Sequence, residues 1–404
     1  MQFVNLLIVV TVAFAAPLVV RLFPALRLPS PVLEILIGVV LGPSVLGWVQ
    51  IDQPVEVLAL IGLAFLLFLA GLEIDVHRLR GRSLRLALIG FAVSFVLAAG
   101  VGFALAGSGL TRAPLLVAIV LCATSLGLVV PVLKDAGQIM NQAGQLVIAA
   151  ASIADFGAVI LLSLFFSGSS TPAGLKVLLL GGLAVVAAVA VLALMRVERS
   201  TRRLVAMLAD TTAQIRVRFA VLMLVAFVAL AAGLGFEAIL GAFLAGAVLR
   251  LVDPAAAVTH PQTAVKLDAI GYGFLVPVFF VASGIQFDAA ALFGSTAAVV
   301  QVPLFVVALL LVRGLPALLY RRSMGTRQTL AAAFLQATSL PFIVAAVAIG
   351  QRLGVLSPAT GAALVAAGLV SVLVFPAAAL AVLRGARTTT TSTKEPDPSE
   401  AGRA

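Results

Sequence analysis

Residues 144–167 read GQLVIAAASIADFGAVILLSLFFS, twenty-four positions with one charge, Asp155, at the twelfth. A helix needs roughly 20 apolar residues to cross a bilayer, and the run lacks the two-residue alternation of a barrel strand. A carboxylate near the middle of such a helix costs about 2.5–3.5 kcal/mol to insert, so residues of this kind are functional by default. The stretch predicts both an all-α membrane fold and the position where its chemistry lies.

The rest of the chain agrees. Of 404 residues, 62% are hydrophobic and 10% charged, with a mean hydropathy of +1.22. Soluble domains average roughly 45–50% apolar and 25% charged, so a water-soluble fold is excluded. Thirteen spans are predicted, at 2–22, 31–49, 55–72, 84–107, 114–133, 144–167, 174–195, 217–234, 237–252, 268–287, 295–320, 328–350 and 358–384. The single Cys122 rules out a disulfide framework, and two histidines, His77 and His260, do not make a transition-metal site. The triplet Ala13-Phe14-Ala15 resembles a cleavage site, but no Lys or Arg precedes the first apolar run, which therefore reads as a span.

A net charge of +10 suggests nucleic acid at first sight. In a membrane chain it marks cytoplasmic loops instead. With the N-terminus outside, 22 of the 26 Lys and Arg residues fall in cytoplasmic loops and tail. Arg112, Lys176 and Arg352 fall outside, and Arg313 lies within a span. The expectation is a multi-pass plasma-membrane protein with the N-terminus out and the C-terminus in, a lipid bilayer as its surroundings, and no nucleic-acid partner. The polar tail 385–404 is expected to be disordered and cytoplasmic.

Four segments recur in order. EILIGVVLG from Glu34 resembles EAILGAFLAG from Glu237, at an offset of 203. FLAGLEID (68–75) resembles VASGIQFD (281–288) at 213, CATSLGLVVPVL (122–133) resembles QATSLPFIVAAV (336–347) at 214, and GQLVIAA (144–150) resembles GAALVAA (361–367) at 217. The matches pair span 2 with 9, 3 with 10, 5 with 12 and 6 with 13. Seven is odd, so paired spans would run in opposite directions. The prediction is a six-plus-six inverted repeat: 1–167, a linker helix at 174–195, and 216–384.

Inverted repeats are a mark of secondary transporters, whose sites lie mid-membrane where each half contributes a discontinuous helix. Spans 5 and 12 carry Thr124-Ser125 and Thr338-Ser339 at their centres, followed by Gly127 and Pro131 in one and Pro341 in the other. Proline removes an N–H and frees a carbonyl. Freed carbonyls and hydroxyls suit a hard monovalent cation, with half-helix ends adding partial charge.

Asp155 has Val372 as its counterpart by offset, so the fold itself does not require an acid there. A desolvated carboxylate can hold a proton or a cation but not both, which is an exchange mechanism once the site alternates between sides. Ser152, one turn earlier, offers a further oxygen. Arg313 has two readings: snorkelling to the interface, or a fixed positive charge near the site. Glu34 and Glu237, being repeated, read as structural; Cys122 reads as an inert buried thiol, and His77 and His260 as solvated loop residues.

The blocks PVLEILIGVVLGPSVLGW (31–48), LIGLAFLLFLAGLEID (60–75), EAILGAFLAGAVL (237–249) and HPQTAVKLDAIGYGFLVPVFFVASG (260–284) resemble the second branch of the monovalent cation:proton antiporters, the group of sodium/proton and potassium-efflux exchangers. The likeness extends over about 1–384. It implies a homodimer, a dimer scaffold from spans 1–3 and 8–10, and a moving core from spans 4–6 and 11–13. It also implies that Asp155 binds ion and proton, and that Arg313 matches the basic residue family members hold in span 11. The family's signature pair in span 6 is Asp, Asn or Gln before an invariant Asp; here the pair is Ala154-Asp155. One carboxylate implies one proton per cation and electroneutral exchange.

The expected activity is proton-coupled antiport of Na⁺ or K⁺ by alternating access, with Asp155, Thr124, Ser125 and Ser152 at the site and no cofactor. A channel would not need an inverted repeat with one titratable acid. An intramembrane aspartyl protease needs two mid-membrane aspartates, and a serine protease needs a membrane histidine, so an enzyme is not expected. Two alternatives stay open: a transport-impaired homologue acting as a sensor or scaffold, and a proton-coupled exporter of an organic cation.

Overall fold

A computed structural model describes residues 3–22, 29–73, 81–135, 137–139, 141–166, 172–196, 214–252 and 261–384. His77, His260 and the 385–404 tail lie outside the described residues. The described residues are helical with no strand. The first half holds α1 (Val4–Leu22), α2 (Ser30–Leu41), α3 (Gln53–Leu72), α4 (Gly81–Gly107), α5 (Pro114–Cys122), α6 (Leu126–Asp135), α7 (Gln142–Phe165) and α8 (Ala173–Met195). The second holds α9 (Ile215–Gly233), α10 (Ala238–Val252), α11 (Pro261–Ile270), α12 (Val276–Ile285), the short α13 (Ala289–Phe293), α14 (Thr296–Gly314), α15 (Thr326–Ala337), α16 (Pro341–Arg352) and α17 (Pro358–Arg384). A π-helical turn, Gly271–Leu275, joins α11 to α12, and a 3₁₀ stretch, Leu315–Tyr320, extends α14.

Among the described residues, ten helices are long and apolar enough to cross a membrane. Three shorter apolar stretches, Ser30–Leu41, Pro114–Val130 and Ala238–Val252, coincide with the second, fifth and ninth predicted spans. The chain is a multi-pass helical membrane protein. Local chemistry sets several helix starts. The Asp52 side chain accepts from the Val55 N–H at 3.2 Å to begin α3, and Asn141 accepts from the Gly144 N–H at 2.7 Å to begin α7. Pro114 and Pro341 open α5 and α16, where a missing N–H costs nothing.

Packing sorts the helices into two groups. In one, α2 lies on α12 and α3 on α10; in the other, α4 to α7 pack with α14 to α17. In lipid, helices associate through close packing, so small residues let backbones approach. A Cβ on Gly38 would stand 2.3 Å from the Val281 carbonyl oxygen and 3.0 Å from Gly284 Cα. At the α3–α10 crossing, a Cβ on Gly246 would stand 2.0 Å from the Phe68 carbonyl oxygen. Side chains have no room at either crossing, so this group is built backbone against backbone.

Candidate ion site at two crossing helix breaks

Helix α5 stops at Cys122 and α6 starts at Leu126, leaving Ala123, Thr124 and Ser125 non-helical. Likewise α15 stops at Ala337 and α16 starts at Pro341, leaving Thr338, Ser339 and Leu340. Both breaks fall at the Thr-Ser pairs. They lie against each other: the Ser125 N–H donates to the Thr338 carbonyl at 2.9 Å, and the Thr124 hydroxyl donates to the Gln336 carbonyl at 2.6 Å. Four half-helix ends therefore meet at one place. Pro341 stands at its break as expected. Gly127 and Pro131 do not: α6 runs through both. The missing N–H of Pro131 leaves the Gly127 carbonyl without its intrahelical partner.

Asp155 sits mid-way along α7, half-buried, beside fully buried Ala154 and Ser152 at 3% exposure. Its Oδ2 accepts from the N–H of Leu126, the first residue of α6, at 3.1 Å. That N–H is one of the orphan donors at the positive end of a half-helix, a favourable place for an anion. The hydroxyls named as helpers are directed elsewhere. Ser152 donates to the Ile148 carbonyl of its own helix at 2.9 Å. The Thr124 hydroxyl is engaged by Gln336 and by Arg313. Both keep oxygen lone pairs, but the partner of Asp155 in this structure is backbone.

Arg313 does not snorkel. It is 1% exposed, with Nε donating to Thr124 Oγ1 at 2.8 Å, Nη1 to Ser94 Oγ at 3.0 Å and Nη2 to the Ala150 carbonyl at 3.5 Å. One guanidinium thus ties α14 to α4, to the first break and to α7. Every hydrogen-bond partner is neutral; Asp155 interacts with it through charge alone.

The second break has its own staple. Ser371 Oγ, in α17, accepts from the Ser339 N–H at 3.2 Å and lies 2.9 Å from the Ser339 carbonyl. Position 372, the match by offset, holds a valine at 3% exposure; the residue that does for this break what Asp155 does for the other is Ser371.

Two polar side chains lie against the half-helix that follows the first break. A Cβ on Gly127 would meet Tyr272 Oη at 3.5 Å and Glu73 Oε1 at 3.8 Å. Glu73 caps the end of α3 and interacts through charge with Asp155 and Asp268; Tyr272 lies in the π turn and is 46% exposed. Exposed Glu73 and Tyr272 thus stand beside half-buried Gly127 of α6, and charge links Glu73 to Asp155 and Asp268. Sequence reading missed Glu73, Asp268 and Tyr272 as site residues. The available signal was an acid one residue beyond a predicted span, in FLAGLEID, and a Gly-Tyr-Gly step inside another.

The chain matches the family described as sodium/hydrogen exchanger, transmembrane, over residues 9–384. YjbQ of Bacillus subtilis is 32% identical over 389 residues, covering 92% of this chain and 62% of that protein, so the chain spans under two thirds of that relative. The Na⁺/H⁺-K⁺ antiporter GerN of Bacillus cereus is 29% identical over 289 residues, 70% of this chain and 71% of GerN. Among solved structures, the sodium proton antiporter MjNhaP1 from Methanocaldococcus jannaschii at pH 8 superposes with a TM-score of 0.68 at 17% identity, covering 95% of this chain and 99% of that one, a likeness of fold. The chain belongs to the transmembrane sodium/hydrogen exchanger family, whose members are secondary transporters and not enzymes.

Proposed function

We propose that this chain exchanges a monovalent cation, Na⁺ or K⁺, for H⁺ by alternating access, with Asp155 as the carboxylate that holds one or the other. The observation that carries the reading is the placement of Asp155: half-buried in an apolar helix, bonded to the first N–H of α6 at the helix break, and within charge range of Glu73, whose carboxylate lies against Gly127 of α6. Freed carbonyls at the break and the hydroxyls of Thr124, Ser125 and Ser152 are oxygen donors for the cation once the Asp155 proton leaves. The relatedness to GerN supports a monovalent cation and leaves both ions as candidates.

The charges of the site favour electroneutral exchange. Arg313 contributes one positive charge and Asp155 one negative, so a bound cation leaves +1. A proton on Asp155 with no cation also leaves +1. Ala154 adds nothing to either state.

In this reading thirteen spans form a six-plus-six inverted repeat, with the N-terminus outside and the Glu73 end of α3 facing the cytoplasm. Two features support the repeat. Gly38 of α2 touches Gly284 of α12 while Gly246 of α10 touches Gly71 of α3; exchange of the halves interchanges these helix pairs, with Gly246 five residues beyond Gly241, the match of Gly38 by offset. Glu73 and Gln286, matched at offset 213, each cap a helix with almost the same backbone angles, −72° and −15° against −77° and −10°. The helix group containing α2, α3, α10 and α12 would form the homodimer scaffold.

The test is a ΔpH-dequenching assay in proteoliposomes with Na⁺, K⁺, Li⁺ or choline, wild type beside Asp155→Asn. Cation-specific dequenching in the wild type that is lost in the variant is expected. Dequenching that survives in Asp155→Asn would remove the carboxylate from the mechanism, and a wild type silent to every cation would overturn the exchange reading.

A further inference from the structure

A small cleft separates the two helix groups. Ser283, Gln286 and Asp288, at the end of α12 and the start of α13, line one wall; Val347 and Gln351 of α16 and Gly361 of α17 line the other. It holds about 30 Å³ of free space, room for roughly one water.

The wall of this cleft at Gln286 resembles the helix end at Glu73. Gln286 stands where Glu73 stands, both capping their helices with N–H groups bonded back to matched carbonyls, Ala282 for Gln286 and Leu69 for Glu73. Each faces the half-helix that follows a break: Glu73 faces Gly127 of α6, and Gln286 shares its cleft with Val344 and Val347 of α16. The offset of 214 that matches the two breaks carries Val130 and Leu133 of α6 onto Val344 and Val347. The difference is chemical. At the Glu73 mouth, Glu73 and Asp268 bring carboxylates near Asp155. The outer wall has an amide at the equivalent position, and its one carboxylate, Asp288, is engaged as the cap of α13, accepting from the Ala291 N–H at 2.7 Å.

We propose that the cleft of Ser283, Gln286 and Gln351 is the outer mouth of the transport path, closed in this structure, and that the amide of Gln286 makes it a weaker collector of cations than the Glu73 mouth. A negative charge about 10 Å from a cation site, at an effective dielectric between water and protein surface, changes cation affinity roughly three- to tenfold. Apparent affinity would therefore be sided, tighter from the cytoplasm. The inference rests on the exchange reading.

The experiment measures the KM for the transported cation in everted and right-side-out membrane vesicles from a host lacking its own exchangers. Gln286→Glu is expected to lower the outer KM about three- to tenfold with the inner KM unchanged, and Glu73→Gln to raise only the inner KM. Equal shifts on both faces, or no outer shift from Gln286→Glu, would overturn the proposal. A second arm uses Val347→Cys, whose parent side chain is 5% exposed here, with a membrane-impermeant thiol reagent applied from outside. The native Cys122 is fully buried, so the wild type gives the background. Labelling that accelerates when cation is supplied outside supports an opening cleft; no labelling under any gradient overturns it. A wild type that moves no cation would fail the exchange reading instead, and the thiol arm would still decide the cleft.

Discussion

Arg313→Met is expected to abolish exchange while leaving the folded protein at least as stable as wild type, and the sign follows from what the substitution leaves behind. The guanidinium is 1% exposed, and its three hydrogen-bond partners are neutral. Removing one member of a buried ion pair costs about 3–5 kcal/mol because an uncompensated charge stays behind. Here the hydrogen-bond partners left behind are neutral, and Asp155, which feels the guanidinium only through charge, keeps its own bond to the Leu126 N–H. Thr124 keeps its 2.6 Å bond to the Gln336 carbonyl, and Ser94, within α4, can turn back to a carbonyl of its own helix. The residual cost is about 1–2 kcal/mol of polar groups less well satisfied, against a guanidinium desolvation penalty of several kcal/mol that is recovered.

Thr124→Val makes the opposite case. It leaves the charged Nε–H facing a methyl group, a loss of about 1.5–3 kcal/mol, and strips the Gln336 carbonyl of its donor, about 1 kcal/mol more. With Arg313→Met in the same chain only the second loss remains, so the two substitutions are coupled by about 1.5–3 kcal/mol and the double variant is more stable than Thr124→Val alone. Thermal unfolding of the four purified proteins in detergent, followed by fluorescence-detected size exclusion, measures the cycle. An Arg313→Met less stable than Thr124→Val, or additive effects, would show that the guanidinium is a net structural staple and refute the reasoning.

The two glycine crossings predict a sharp contrast in folding. Gly38→Ala places a Cβ 2.3 Å from a backbone oxygen of α12 and is expected to cost about 1–3 kcal/mol or more in folded yield, whereas Gly100→Ala meets nothing within 4 Å and is expected to be neutral; detergent-extracted monodisperse yield reads both. Ser371→Ala leaves the Ser339 N–H unpaired in the second break, an expected loss of about 1–3 kcal/mol that Ser371→Thr restores, read by the same unfolding midpoint. Exchange is expected to be insensitive to a valinomycin-imposed potential in the wild type, and Ala154→Asp, by adding a second carboxylate beside Asp155, is expected to make the rate voltage-dependent.

Hydropathy is a local property, and the positions of the helices were accordingly legible: a run such as 144–167 is apolar whatever packs on it. The breaks were legible for the same reason, since two Thr-Ser pairs interrupt otherwise unbroken apolar stretches. What a side chain bonds to is decided by elements distant in the chain. Thr124 meets Gln336 and Arg313, 212 and 189 positions away, and no local pattern distinguishes such a hydroxyl from one turned to an ion. Position alone also does not tell a snorkelling arginine from a buried one, because the same aliphatic stem permits both. Ser94 was invisible for that reason: a lone serine in a long apolar helix becomes significant only when a guanidinium packs on it.

The matched positions share a backbone role and differ in chemistry. At the two breaks a side chain from the following long helix holds an N–H, a carboxylate at Asp155 and a hydroxyl at Ser371. At the two mouths a helix-capping residue faces a half-helix, a carboxylate at Glu73 and an amide at Gln286. If geometry alone drove transport, either half could have carried the acids. At these matched positions both acids, Asp155 and Glu73, fall on the first half, so one break is built to bind charge and the other to hold its shape. The second break adds no charge at the crossing: its Thr338 carbonyl takes the Ser125 N–H. In the proposed exchange the two breaks supply the crossing, and Asp155 beside it supplies the carboxylate.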